Sequence, residues 1–137
     1  MDRPLSRLNH DDYTVAFICP MGFELAPVRA MLDEIHQGPT SCGQKNAYIL
    51  GRMGAHNVVI AVMPEIGKRK AATVATQLLN DFSSIRFGLL VGVGGGIPGD
   101  HKDDVRLGDV VVSKPTAAFL GAVEFDCRKI HPNGQFE

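Results

Sequence analysis

Residues 89–98, with the sequence Leu-Leu-Val-Gly-Val-Gly-Gly-Gly-Ile-Pro, join an apolar strand to three consecutive glycines, Gly94, Gly95 and Gly96. Glycine has no Cβ, so a turn of this kind lets backbone amides approach a ligand closely. Unpaired N–H groups in a tight loop form a concave site for anions or sugar hydroxyls. A second apolar segment follows at residues 106–113, with the sequence Arg-Leu-Gly-Asp-Val-Val-Val-Ser. Together the two segments predict two strands of an α/β sheet with a ligand-facing loop between them.

The preceding residues alternate between strand and helix patterns. Short apolar runs predict strands at residues 13–19, 48–53 and 57–63, and the last two form a hairpin around residues 54–56. Apolar residues at spacings of three and four predict helices from Gly22 to Ile35 and over residues 68–82. This order is typical of a three-layer α/β/α fold with a mixed, mostly parallel sheet. Ligands bind such sheets beyond the carboxyl ends of strands, here in the loops after Cys19, Met63 and Val93.

The composition is that of an ordinary globular domain. The 137 residues carry a formal net charge of −1, and no basic stripe favours nucleic acid as the partner. No apolar run approaches the ~18 residues of a membrane span, and the polar N-terminus lacks the apolar core of a signal peptide. Three widely spaced cysteines favour reduced thiols in a cytosolic or nuclear setting, and we expect a cytoplasmic location. The five histidines have no spacing typical of a metal site.

The ends of the domain can also be predicted. Residues 1–12 are polar and predict a disordered lead, so the domain is expected to cover residues 13–137. After Lys114 only residues 119–125 have a strand pattern, and no helix follows to cover the last strands. A sheet left open on one face exposes apolar surface, which a monomer tolerates poorly. We therefore expect the chain to be part of a larger domain.

Four motifs occur in a fixed order along the chain. They are Cys-Pro-Met-Gly-Phe-Glu at 19–24, Glu-Ile-Gly-Lys at 65–68, Val-Gly-Val-Gly-Gly-Gly-Ile at 91–97 and Leu-Gly-Asp-Val-Val-Val-Ser at 107–113. Together they resemble the purine/uridine phosphorylase superfamily, and within it the 5′-methylthioadenosine/S-adenosylhomocysteine nucleosidase branch. The sequences at 30–34, 51–61 and 84–98 are similar to those of fungal members of this family that form the N-terminal domain of NLR-like proteins.

The resemblance implies cleavage of the N-glycosidic bond of a purine nucleoside or nucleotide, by hydrolysis or phosphorolysis. It implies no metal and no organic cofactor, inorganic phosphate as a co-substrate only for phosphorolysis, and association into a homo-oligomer. Members of the family are longer, so the chain is expected to contain the N-terminal half of the domain only. The later elements that contact the ribose hydroxyls and the base are then missing. A second hypothesis is therefore a catalytically inactive, truncated sensor or assembly module of an NLR-like protein.

Glu24 is the candidate catalytic residue, because it lies just after the first predicted strand, where a helix begins. From the residues alone it has two interpretations. An acidic side chain in the first turn of a helix is stabilised by the helix dipole. Alternatively, N-glycosidic cleavage passes through an oxocarbenium-like state, in which a carboxylate can orient water and stabilise positive charge. The resemblance favours the second interpretation, with Glu24 activating the nucleophile.

The resemblance also assigns substrate contacts to Gly67, Val93, Gly94, Gly95 and Gly96. The structural alternatives are a tight turn for the glycine run and a helix start for Gly67. Gly94, Gly96 and Gly99 match the G-x-G-x-x-G pattern of dinucleotide sites, but Pro98 and a polar run preclude the helix that this motif requires. Val93 differs from the small hydroxyl residue that the nucleosidases have at this position.

Overall fold

A computed structural model of the chain describes residues 8–38, 48–65, 67–96, 104–118 and 121–122. The chain divides into two compact units, the first unit at residues 1–94 and the second unit at residues 95–137. All helices and strands of the described residues lie in the first unit. Within the described residues, neither α-helix has the length and apolar content needed to cross a bilayer.

The strands of the first unit form one mixed sheet. In chain order the elements are a short 3-10 helix (His10–Asp12), β1 (Val15–Cys19), α1 (Gly22–Ala30), β2 (Glu34–Ile35), β3 (Tyr48–Met53), β4 (His56–Val62), α2 (Lys68–Asp81) and β5 (Phe87–Leu90). The strand order is β2-β3-β4-β1-β5. β4 and β5 run parallel to β1, whereas β3 is antiparallel to both β2 and β4. Only β3 therefore opposes the other strands, which confirms the predicted mixed, mostly parallel sheet.

Helices cover both faces of this sheet. Successive residues of a strand point to opposite faces, so an apolar strand can contribute to two cores. On one face Val28 of α1 packs in a buried cluster with Val15, Phe17, Cys19, Val58 and Ile60. On the other face Val74 and Leu78 of α2 pack in a buried cluster that includes Ala16, Leu50, Val59, Ala61 and Phe82. The first unit therefore has the predicted three-layer α/β/α architecture.

Helix α1 is shorter than predicted, because it ends at Ala30 rather than Ile35. Pro27 lies inside the helix and removes one backbone donor from it. After the helix ends, the backbone N–H groups of Asp33 and His36 donate hydrogen bonds of 2.8 Å to backbone carbonyl groups of β3. These bonds place the intervening residues in β2 at the edge of the sheet. The spacing of apolar residues could not reveal that residues after Ala30 pair with β3 instead of continuing the helix, because spacing does not show which backbone groups a segment bonds to.

The residues before Tyr13 include a packed segment, although the sequence predicted a disordered lead over residues 1–12. The His10 ring stacks on Phe82 with a centroid distance of 4.8 Å. The Ser83 hydroxyl donates a hydrogen bond of 2.9 Å to the Asp11 carboxylate. The short helix at His10–Asp12 is therefore attached to the core of the first unit. Residues 1–7 lie outside the described residues.

The second unit contradicts one strand prediction. Residues 106–113 form no strand, and apolar side chains such as Leu107 and Val110 are exposed. The Arg106 backbone N–H instead donates a hydrogen bond of 2.8 Å to the Asp109 carboxylate, and this bond closes a turn. An apolar β-rich pattern needs a neighbouring strand to pair with, and pairing is what stabilises a sheet. The predicted strand at 119–125 falls almost entirely outside the described residues.

Candidate functional site

The carboxyl ends of β4, β1 and β5 lie at one edge of the sheet. Cys19 at the end of β1 is opposite Val62 at the end of β4, and Ile18 is opposite Leu90 at the end of β5. Because the three strands are parallel, the loops that follow them leave the sheet on the same side. The loop after β1 is in the middle, since β1 lies between β4 and β5. The three loops predicted to form a site therefore begin at a common edge.

Glu24 is buried at this edge, with 3% of its surface exposed. Its Oε2 accepts the Met21 N–H at 2.7 Å, which caps the start of α1. Its Oε1 accepts the Val93 N–H at 2.8 Å. One carboxylate thus connects the loop after β1 to the loop after β5. The two interpretations of Glu24 are both compatible with this geometry, because the residue is a helix cap and also lies where ligands bind in such folds.

The carboxylate keeps acceptor capacity beyond these two bonds. A carboxylate has about four lone-pair sites, and the Met21 and Val93 amides use one site on each oxygen. Among the described residues the remaining sites have no hydrogen-bond partner, and chemically they could accept a bond from water or from a sugar hydroxyl. Two backbone donors also fix the orientation of the group, and preorganised groups of this kind are what transition-state stabilisation uses.

Gly92 is a part of this site that the sequence analysis missed. A Cβ built on Gly92 would lie 2.9 Å from Glu24 Oε1 and 3.4 Å from Glu24 Cδ. Real Cβ atoms essentially never approach another heavy atom within 3.0 Å. The available signal was a single glycine between Val91 and Val93, because an isolated glycine at a strand end often marks close backbone approach. The sequence analysis named Val93 and the three glycines that follow it, and their contacts with substrate stay a prediction.

Among the predicted substrate residues, Val93 is the one that contacts Glu24. The contact uses its backbone amide, while its side chain is 74% exposed. Gly94 is the next residue, is exposed, and has nothing within 4 Å of the position that a Cβ would take. Gly95 and Gly96 belong to the second unit. A Cβ on Gly96 would lie 2.9 Å from a methyl group of Val105, so Gly96 has a packing role in that unit.

Gly67 lies between β4 and α2, in the second of the predicted binding loops. It is the N-terminal cap residue of α2, and its φ of 142° is a conformation that favours glycine. A Cβ there would meet nothing within 4 Å. Local geometry therefore explains Gly67 as the start of a helix, and its contact with substrate stays a prediction.

Cys19 ends β1 and is fully buried near Glu24. Burial, and secondarily the charge of Glu24, raise the pKa of the Cys19 thiol. The thiolate is the nucleophilic form of cysteine, so a raised pKa makes this side chain inert at neutral pH. Cys19 is therefore a structural residue beside the candidate site.

Two cavities of the first unit lie elsewhere. One of about 400 Å³ lies along α1, between Leu25, Arg29 and Ile35. The other, of about 200 Å³, lies between α2 and β1, beside Leu78 and Ile85. Neither includes Glu24, so the candidate site is defined by hydrogen bonds at the sheet edge and not by either cavity. Within the part of the chain that the structure describes, no group of three His, Cys, Asp or Glu side chains could hold a metal ion.

These features define a three-layer α/β domain with a buried carboxylate at the carboxyl edge of its parallel strands. The sequence profile of the phosphorylase superfamily matches residues 14–133. The chain therefore belongs to the phosphorylase superfamily, and the family predicted from the four motifs is confirmed.

Two known proteins are similar to this chain. A nucleotide-binding leucine-rich repeat (NLR)-like protein of Hyaloscypha variabilis is 43% identical over 127 residues, which covers 90% of this chain and 13% of that protein. The chain thus spans a small part of the length of that relative. The 5′-methylthioadenosine/S-adenosylhomocysteine nucleosidase of Neisseria meningitidis, solved in complex with methylthio-immucillin-A, has a similar fold with a TM-score of 0.51. It is 24% identical, and the match covers 65% of this chain and 36% of the nucleosidase.

Proposed function

We propose that this chain is part of a domain that cleaves the N-glycosidic bond of purine nucleosides or nucleotides, with Glu24 activating the nucleophile. The observation that carries the proposal is the buried Glu24 carboxylate, held by the Val93 amide at the edge where the parallel strands end. Membership of the phosphorylase superfamily supports the reaction class. The similar fold of a nucleosidase that is named for adenosine derivatives supports a purine nucleoside as the substrate.

In the proposed reaction, Glu24 accepts a proton from the nucleophile as the nucleophile's oxygen bonds to the anomeric carbon. The bond from that carbon to the base nitrogen breaks, and the base leaves with the electron pair and takes up a proton from solvent. The negative charge of Glu24 stabilises the positive charge that develops on the sugar ring. We assign the backbone amides of Val93, Gly94, Gly95 and Gly96 to the sugar hydroxyls or the nucleophile, and Gly67 to the wall of the nucleoside pocket.

The proposal includes no metal and no organic cofactor. The nucleophile is water or inorganic phosphate, and phosphate is a co-substrate only in the second case. A cytoplasmic location and a homo-oligomeric state are also part of the proposal. β5 is the last strand of the sheet that the described residues form, and the exposure of its Phe87 and Leu90, at 66% and 72%, supports association, because an apolar strand at a sheet edge favours contact with another chain.

The test is release of free base from adenosine, methylthioadenosine and ATP, each with and without phosphate, followed by chromatography. The expected result is release by the wild-type chain and a loss of about 100-fold or more in Glu24→Gln, the usual scale for a lost general base. Glu34→Gln is the matched control, because Glu34 lies on β2, at the opposite end of the strand order from β5, and pairs with Arg52 at 3.7 Å. This control should retain the wild-type rate.

The outcomes separate the hypotheses. Release without phosphate indicates hydrolysis, and release that requires phosphate indicates phosphorolysis. Nucleoside binding without any release of base would contradict the catalytic proposal. That result would favour the inactive sensor or assembly module that the sequence left open.

A further inference from the structure

We propose that Gly92 is the positioning residue for Glu24: its missing side chain lets the loop after β5 place the Val93 amide on the Glu24 carboxylate. The proposal rests on the proposed function only for its catalytic consequence. Its structural part concerns three groups of the first unit, namely the Gly92 backbone, the Val93 N–H and the Glu24 carboxylate.

The need for glycine at position 92 arises from Glu24 alone. The three nearest heavy atoms to a Cβ at Gly92 are Oε1, Cδ and Oε2 of Glu24, at 2.9, 3.4 and 3.6 Å. The backbone of Gly92 does not itself demand glycine, because the positive-φ glycines of the described residues are Gly54, Gly67, Gly108 and Gly121. An alanine at 92 would therefore have an ordinary backbone conformation and one steric conflict, with the carboxylate.

Glu24 cannot relieve that conflict without losing a bond. The side chain is 3% exposed, and its Oε2 is held by the Met21 N–H at 2.7 Å. A shift of Oε1 away from position 92 also lengthens its 2.8 Å contact with the Val93 N–H. A methyl group at 92 therefore separates the two loops that the carboxylate connects, or rotates the carboxylate out of its position. Misplacement of a reacting group by about 1 Å can cost about 100-fold in rate.

A double-mutant cycle tests the steric part of the proposal. The variants are Gly92→Ala, Glu24→Ala and the two combined, with Gly88→Ala as the matched control, since a Cβ at Gly88 on β5 meets nothing within 4 Å. We expect Gly92→Ala to lower the Tm by on the order of 5 °C in the wild-type background, as overpacking does in a domain of this size. In the Glu24→Ala background the same change should lower the Tm by less than about 1 °C, because the conflicting atoms are gone. Gly88→Ala should behave alike in both backgrounds.

Nuclear magnetic resonance provides a readout that a merely structural glycine would not move. In the wild type the Val93 amide, which donates to Glu24 Oε1 at 2.8 Å, should be protected from hydrogen exchange with solvent, and Glu24→Ala should remove this protection. Gly92→Ala should remove it as well, and Gly88→Ala should preserve it. Neither the Tm nor the amide exchange rate requires substrate, so a chain that releases no base contradicts the proposed function without affecting this test.

Two results would overturn the proposal. One is an equal Tm loss for Gly92→Ala with and without Glu24, and the other is a Val93 amide that keeps its wild-type protection from hydrogen exchange in Gly92→Ala. If Gly92→Ala does not fold, the double variant decides: a folded double variant supports the conflict with Glu24, and an unfolded one refutes it.

Discussion

Glu24 and Val93 are 69 positions apart in the chain and share a hydrogen bond of 2.8 Å between Oε1 and the backbone N–H. The bond spans two elements that both depend on β1, since α1 packs on this strand and β5 pairs with it. Any change that displaces α1 or β5 will therefore alter the candidate site. The site is thus a product of the tertiary fold, and neither loop forms it alone.

The double role of the carboxylate predicts a stability effect for Glu24→Gln. A glutamine amide has one oxygen acceptor, so either the Met21 or the Val93 N–H would face an NH₂ donor. A buried donor left without an acceptor costs about 1–3 kcal/mol. Urea unfolding should show a loss of this size for Glu24→Gln and a change within about 0.5 kcal/mol for the exposed Glu65→Gln. Equal stabilities of wild type and Glu24→Gln would contradict the two hydrogen bonds.

A second prediction concerns the close approach of β2 to β3. A Cβ on Gly51 would lie 2.5 Å from the Glu34 carbonyl oxygen and 2.9 Å from a methyl group of Leu32. The backbone carbonyl cannot move without breaking the edge of the sheet. Gly51→Ala should therefore destabilise the chain by about 2–3 kcal/mol, measured by thermal unfolding. The control is Gly38→Ala, where a Cβ meets nothing within 4 Å. Indistinguishable melting of the two variants would refute this packing.

The third prediction is an alkaline loss of stability caused by Tyr13. Burial, and secondarily the charge of Asp12, raise the pKa of Tyr13 from 10.0 to about 12. Because the folded pKa lies above the unfolded value, the unfolded chain loses this proton first as the pH rises. The contribution of Tyr13 to stability is therefore complete below pH 10 and is lost between pH 10 and about pH 12.

Phenylalanine variants isolate this effect. Tyr13→Phe removes the titrating hydroxyl together with its 3.0 Å hydrogen bond to His36 Nδ1. The variant should lose about 1 kcal/mol at neutral pH and show a flatter fall in stability from pH 10 to 12. Tyr48→Phe, which removes the other tyrosine hydroxyl together with its 2.8 Å bond to Asp81, is the comparison that separates the two tyrosines. A Tyr13→Phe profile parallel to that of the wild type would show that another group causes the alkaline loss.

The fourth prediction concerns the exposed edge of the sheet. If association uses β5, Leu90→Lys should shift the chain toward monomer in analytical ultracentrifugation, because a charge on an edge strand opposes pairing with another chain. The Tm should change little, since Leu90 is already 72% exposed. Leu79→Lys on α2, where Leu79 is 52% exposed, is the control. An unchanged mass distribution for Leu90→Lys would exclude β5 as the contact.

Much of the fold could be predicted from local patterns. The apolar runs at 48–53 and 57–63 are close to β3 and β4, and the helix predicted at 68–82 is α2 with one residue more. These predictions succeeded because hairpins and long helices are determined by neighbouring residues. The segment after Ala30 and the segment at 106–113 were predicted incorrectly, because their structure depends on which distant strand is available for pairing.

The candidate site was predictable only in part. Glu24 could be singled out from its place between a strand and a helix, and Val93 from its place beside the glycine run. Their contact, and the need for glycine at 92, depend on a register between β1 and β5 that no local pattern encodes. Steric demands of this kind become visible only when the backbone positions are known.

Chemical rescue tests the central claim most directly. Glu24→Ala removes the carboxylate and leaves space for a small acid, so base release from adenosine should fall about 100-fold or more and recover in part when formate is added. Glu34→Ala, on the distant strand β2, should release base at the wild-type rate with or without formate. Release by Glu24→Ala at the wild-type rate, in the absence of formate, would contradict the assignment of Glu24 as the group that activates the nucleophile.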